Sequence, residues 1–149
     1  MGAALMRFVR DFGLLQPGHT PCGKPLTVTQ AHALAAVAHQ PGISQRDLGE
    51  NLGLARATTS ELVTQLATRG WIAQRPSTDD RRQRSLDLTA AGRRITQDVA
   101  RARQSLMSDL LADLTADDRA RLVDAVEFLA DTAHRRRTRH HDIAESEAG

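Results

Sequence analysis

Residues 44–70 read SQRDLGENLGLARATTSELVTQLATRG, and this stretch decides the fold. Ser44, with Asp47 three places on, has the form of a helix N-cap, and Leu48 and Leu52 share one face of the short helix it opens. Gly53 stands where a helix ends in a left-handed residue. A second helix follows within a few residues, from about Ala55 to Thr68, with Leu62, Val63 and Leu66 inward and Gly70 closing it. Two helices so closely joined form a helix-turn-helix. The second helix opens on Arg56, Ala57, Thr58, Thr59 and Ser60. A helix N-terminus presents unpaired amides, and small hydroxyl side chains there let it approach phosphates and base edges. Threonines near a helix start also serve simply as caps, so the neighbouring segments weigh in the choice.

Downstream, Trp71-Ile72-Ala73 and Ser85-Leu86-Asp87-Leu88 read as two short strands around a polar hairpin running from Arg75 to Arg84. Arg81, Arg82 and Arg84 make its tip cationic and narrow enough for a minor groove, against the plainer reading of a solvated hairpin. Thr89 then caps a long helix in which Ile95, Val99, Ala102, Leu106, Leu110 and Leu114 recur at helical spacing. Thr115 with Asp118 opens a last helix carrying Leu122, Val126, Leu129 and Ala133. The apolar stripes of these two helices exceed what one small winged helix can cover, so their surplus calls for a second copy.

Upstream, Thr27 and Gln30 form a capping box, and the helix they open is expected to bury Ala31, Leu34, Ala35 and Ala38 before Pro41-Gly42 ends it. Three prolines and two glycines between Gln16 and Pro25 predict a loop. Leu5, Phe8, Val9, Phe12 and Leu15 predict a short amphipathic helix over the first fourteen residues.

The chain has 149 residues, 40% of them hydrophobic and 26% charged, which fits one globular domain with a helical appendage. No apolar run nears the ~20 residues of a membrane helix. The opening residues lack the apolar core and cleavage site of a secretory signal, and a single cysteine gives no disulfide framework. A cytoplasmic protein is expected. Positive charge concentrates in the middle: Leu54–Arg84 holds six arginines against Glu61, Asp79 and Asp80, whereas Asp109–Asp131 holds seven acids against Arg119 and Arg121. That asymmetry points to an anionic partner for the middle. With only Phe8, Phe12, Trp71 and Phe128 as aromatics, the composition argues against a base-stacking single-strand platform. No Ser/His/Asp set, metal-hydrolase pattern or phosphate loop is visible, so an enzyme is not expected.

Several segments together carry a family resemblance. They are Pro41 to Leu54, Thr58 to Leu66, Arg69-Gly70-Trp71-Ile72, Arg75-Pro76 through Asp79-Asp80-Arg81-Arg82, and Leu88-Thr89-Ala90-Ala91-Gly92. Over about Leu26–Gly92 the chain resembles the MarR family of winged helix-turn-helix transcription regulators. The resemblance implies a mainly α fold with a small β-wing, flanked by N- and C-terminal dimerisation helices. It divides the chain into a dimerisation helix and loop (1–25), a DNA-binding region (26–92), long dimerisation helices (93–137) and a disordered tail (138–149). It implies a homodimeric repressor on a pseudo-palindromic double-stranded DNA operator, released by a small aromatic or phenolic effector. No membrane, cofactor or metal is expected.

The matching DNA-binding positions are Ser44, Gln45, Arg46, Arg56, Thr58, Thr59, Ser60, Arg75, Arg81, Arg82 and Arg84. Asp80 and Arg82 correspond to the pair that holds the wing's shape. Phe8, Phe12, His32 and Trp71 are candidate neighbours of the effector cleft, although core packing explains the first two equally well. Two positions depart from the family: Ala55 replaces a capping side chain, and Glu61 stands where a basic residue is common. The latter substitutes an acceptor able to read cytosine N4. The first helix is also shorter than is usual in the family.

Other readings stay open. Relatives that sense peroxide do so through one N-terminal cysteine activated by tyrosines; Cys22 has none to help it, and Lys24 is its nearest charged neighbour in sequence. His19-x-x-Cys22 with His32 and His39 offers zinc-ligand residue types without an acidic or histidine ligand on the long helix. A helical interaction protein that never touches DNA is the alternative from a different class.

Overall fold

The computed structural model describes residues 2–15, 18–76 and 84–147, with side chains through residue 136. The hairpin tip 77–83, and with it the expected roles of Asp80, Arg81 and Arg82, lies outside the described residues. Backbone contacts separate two units, Met1–Leu106 and Met107–Gly149. The first runs α1 (Gly2–Asp11), α2 (Val28–His39), β1 (Ile43–Ser44), α3 (Gln45–Leu52), α4 (Arg56–Thr68), β2 (Ile72–Pro76), β3 (Arg84–Leu88) and α5 (Ala90–Leu111), the last continuing into the second unit, which also holds α6 (Ala116–Glu147). The fold is mainly α with a small antiparallel sheet.

In the first unit, α2 begins on the expected capping box: Thr27 Oγ1 accepts from the Gln30 amide at 3.1 Å, and Gln30 Oε1 accepts from the Thr27 amide at 3.1 Å. Its buried face is Gln30, Ala33, Leu34 and Val37; of the expected Ala31, Leu34, Ala35 and Ala38, Leu34 is buried and Ala31 partly so, whereas Ala35 and Ala38 are exposed. An alanine-rich helix has little polar contrast, so its phase is set by the larger Leu34 and Val37 and by the inward turn of Gln30. Leu26, Leu48, Leu62, Val63, Leu66, Ile43, Ile72 and Leu86 complete the core, with Trp71, Leu88, Ile95 and Val99 packed against it.

The sheet has three strands in the order β1-β3-β2, all antiparallel, where two were expected. The extra strand is the pair Ile43-Ser44, which lies against Leu86 and Ser85 between the Pro41-Gly42 turn and the cap of α3. Two residues are too few for strand periodicity to register in a sequence. α3 ends on Gly53 at φ 66°, the left-handed geometry that glycine adopts at no steric cost.

The Leu88-Thr89-Ala90-Ala91-Gly92 segment has a physical explanation. Thr89 Oγ1 accepts from the Gly92 amide at 3.0 Å and donates to the Gly70 carbonyl at 2.6 Å, while the Thr89 amide donates to the Trp71 carbonyl at 3.0 Å. One residue therefore caps α5 and fastens it to the start of β2. A Cβ at Gly92 would lie 1.9 Å from the Trp71 carbonyl oxygen, so only glycine permits this approach. Arg69 adds a second tie, donating to the Pro25 carbonyl at 3.0 Å with its guanidinium 4.9 Å from the centre of the Trp71 ring.

α1 ends at Asp11, short of the fourteen residues expected, because the chain turns at Gly13 with φ 82°. None of its helical residues is buried, and Leu5, Met6 and Phe8 are exposed. In the second unit, Thr115 caps α6 by accepting from the Asp118 amide, and Arg119 donates to the Leu111 carbonyl. Every described side chain of α6 is exposed, including Leu122, Val123, Val126, Leu129 and Phe128, the last at 71%. The helix continues to Glu147 through the segment expected to be a disordered tail. Alanine and glutamate, which recur along that segment, are good helix formers even where composition reads as acidic and polar.

Candidate nucleic-acid interface

α3, the start of α4 and β3 enclose a cleft of about 700 Å³ lined by Ser44, Gln45, Arg46, Gly49, Glu50, Leu54, Arg56, Thr59 and Arg84. Six of the positions expected to contact DNA thus line one cleft, five of them on its surface and Thr59 buried beneath it, although they come from residues forty places apart in sequence. Ser44 holds α3 in place, its hydroxyl accepting from the Asp47 amide at 3.1 Å. Arg46 pairs with Glu50 at 2.8 Å one turn along the same helix. Arg84 stands on β3 and reaches toward Gln74 at 3.5 Å on the neighbouring strand.

α4 has no side-chain cap at Ala55 and no acid in its first turn. Its leading amides therefore keep their partial positive charge for an outside anion, with exposed Arg56 beside them. Thr58 and Ser60 are exposed, as expected. Thr59 is corrected. It is 2% exposed, and its hydroxyl donates to the Ala55 carbonyl at 3.0 Å. A Cβ at Gly49 would lie 2.7 Å from that hydroxyl, so Thr59 is a packing residue between α3 and α4 and not a free donor on the surface. A neighbouring glycine gave it room to turn inward, a pairing with no local signature.

Arg75 does not join this cleft. Strand alternation sends it to a separate one of about 470 Å³, shared with Val37, Pro41, Asp87, Arg93 and Gln97. The candidate effector neighbours fall into separate settings. Phe8 and Phe12 stack with ring centroids 5.0 Å apart, His32 is exposed on α2, and Trp71 is half-buried under Arg69. Cys22 Sγ lies 3.1 Å from Thr20 Oγ1. Among the described residues no three His, Cys, Asp or Glu side chains are close enough to hold a metal ion. No described helix is long and apolar enough to cross a membrane.

One set of contacts went unread in the sequence. Gln30 Nε2 donates to Gln65 Oε1 at 3.0 Å, and Gln65 Nε2 donates to Glu61 Oε1 at 3.2 Å. The first of these joins residues thirty-five positions apart, beyond the reach of any helical periodicity.

A helix-turn-helix buttressed by a three-stranded sheet, with arginines from both helices and a strand around one cleft, defines a winged helix-turn-helix protein. The sequence profile of the MarR family matches residues 24–83. The chain is 25% identical over 101 residues to an uncharacterized HTH-type transcriptional regulator of Bacillus subtilis, YdgJ, spanning 68% of this chain and 62% of that protein. It is 29% identical over 107 residues to the transcriptional regulator HosA of Escherichia coli O157:H7, spanning 72% of this chain and 79% of HosA. Among solved structures, the PcaV transcriptional regulator of Streptomyces coelicolor in complex with its natural ligand is 29% identical, with a TM-score of 0.68 over 89% of this chain and 92% of PcaV. Over residues 24–83 in sequence, and in its fold, the chain is similar to the MarR family of winged-helix regulators.

Proposed function

We propose that this protein is a dimeric repressor that binds a pseudo-palindromic duplex operator and acts in the cytoplasm without catalysing a reaction. The observation that carries the reading is the single cleft that gathers Ser44, Gln45, Arg46, Arg56 and Arg84 beside the uncapped start of α4. Phosphates are met by arginines and helix amides, and base edges by small polar side chains at the helix start, here Thr58 and Ser60. The wing, with Arg81 and Arg82 at its tip braced by Asp80, reaches the adjacent minor groove. Two-fold pairing sets the recognition helices about 34–36 Å apart, in successive major grooves.

The second copy docks on the exposed apolar residues of α1 and α6, which a lone chain leaves in water. Release follows binding of a small aromatic or phenolic molecule. That PcaV is held in complex with its natural ligand supports an effector, and Phe8, Phe12, His32 and Trp71 are its candidate neighbours.

Selection of duplexes from a random-sequence pool by the full chain tests the function. Enrichment of one inverted repeat, bound in the presence of excess competitor DNA, supports it. A pool left without a preferred sequence refutes it in favour of a helical interaction protein.

A further inference from the structure

α4 buries Thr59, Leu62, Val63 and Leu66. At about 3.6 residues per turn, the side opposite that face carries Ala57, Glu61, Thr64 and Thr68. Glu61 therefore stands in the middle of the surface that α4 would present to a major groove, a costly place for an anion facing phosphates.

Its carboxylate is not loose. Oε1 accepts from Gln65 Nε2 at 3.2 Å, and no other partner holds it among the described residues. Gln65 is itself oriented, because its Oε1 accepts from Gln30 Nε2 at 3.0 Å. Gln30 is 4% exposed, and its own oxygen is committed to the Thr27 amide at the cap of α2. Every donor in this row points toward Glu61. Turning either amide over would set oxygen against oxygen or nitrogen against nitrogen, so the row has one sense only. It begins at a backbone amide of α2 and ends on an acceptor at position 61.

We propose that Glu61 reads a cytosine amino group in each operator half-site and that Gln65 and Gln30 are positioning residues that hold it there from α2. The inference rests on the DNA-binding reading above. In the major groove only cytosine N4 and adenine N6 donate, and adenine sets its acceptor N7 beside the donor, where it repels a carboxylate. Guanine N7 and O6 and thymine O4 are acceptors throughout. One carboxylate oxygen tied back to Gln65 leaves the other to accept from cytosine, which converts an unfavourable charge into discrimination.

The experiment repeats the duplex selection with the wild type and three variants at exposed positions, followed by titrations on duplexes differing at the selected base pair. The wild type enriches cytosine at one position per half-site. Glu61→Ala lowers the preference for cytosine over the other bases there by about tenfold and leaves other positions unchanged. Glu61→Gln moves the preference toward adenine, whose N6 and N7 suit a side-chain amide. Gln65→Met narrows the cytosine margin while the salt dependence and the preference at the other positions stay as in the wild type, a pattern that loss of structure does not produce. Glu61→Ala that tightens every duplex alike would make Glu61 a repelling charge and overturn the reading. A full cytosine margin in Gln65→Met would overturn the positioning role. A wild type that enriches no duplex overturns DNA binding itself, and is told apart because the variants then have no preference to lose.

Discussion

Replacing Gly92 with alanine puts a methyl group where the structure has a carbonyl. The new Cβ would lie 1.9 Å from the Trp71 oxygen, 2.9 Å from its carbonyl carbon and 3.3 Å from Leu88 Cδ2. Ordinary contact begins near 3.4 Å, so the oxygen must retreat by about 1.5 Å. It is not free to do so, because it accepts from the Thr89 amide at 3.0 Å and lies 3.3 Å from the Thr89 hydroxyl. Either those bonds stretch or the first turn of α5 lifts from β2. Overpacking costs about 1–3 kcal/mol, and each weakened hydrogen bond about 1 kcal/mol more. The gain in helix propensity offsets at most about 1 kcal/mol. Gly92→Ala should therefore destabilise by about 2–4 kcal/mol, a fall in melting temperature of roughly 5–15 °C for a protein of this size. Urea unfolding followed by far-UV circular dichroism, at fixed protein concentration because the proposed dimerisation would add to stability, reads the difference. Gly2→Ala is the control, since nothing lies within 4 Å of a Cβ there. A Gly92→Ala protein within about 0.5 kcal/mol of the wild type, inside the ordinary range for surface changes, would refute the close approach.

Three further outcomes are expected. Val126→Glu combined with Phe128→Glu should convert the dimer to a monomer at micromolar concentration in sedimentation, and an unchanged dimer would remove α6 from the interface. Arg84→Ala should weaken operator and random DNA alike and reduce the slope of log affinity against log salt by about 1; an effect confined to the operator would make Arg84 a base reader. Asp80→Ala should weaken DNA binding in a gel-shift titration although it deletes a negative charge, whereas tighter binding would replace the bracing role with simple repulsion.

The sequence was most legible where polar and apolar residues contrast sharply. Leu62, Val63 and Leu66 are buried in α4 as their spacing predicts, and the caps at Thr27, Ser44 and Thr115 all form. Where contrast was weak, the phase slipped: almost any face of 31–38 looks apolar, and Ala35 and Ala38 proved exposed. Thr59 misled for a different reason. Its neighbours Thr58 and Ser60 have the same small hydroxyl character, and only the gap left by Gly49 distinguishes the residue that turns inward. The cleft draws Arg46, Arg56 and Arg84 together through the sheet register, which no single segment encodes. The Gln30–Gln65–Glu61 row was hidden because Gln30 reads locally as nothing more than half of a capping box, and its second bond depends on how α2 crosses α4.

The join between β2 and α5 also behaves as a fulcrum. From Gly92 to Leu106, within the first unit, the helix extends roughly 21 Å, while β2 from Ile72 to Pro76 extends roughly 13 Å. The two arms meet at one carbonyl, that of Trp71, which Thr89 grips and against which Gly92 rests. Because no side chain intervenes at that contact, little slack is available to absorb a tilt. A rigid swing of α5 by 2 Å at Leu106 would then move the strand end by roughly 1 Å, in proportion to the arm lengths. A glycine chosen for its lack of a side chain thus makes the long helix and the wing parts of one lever.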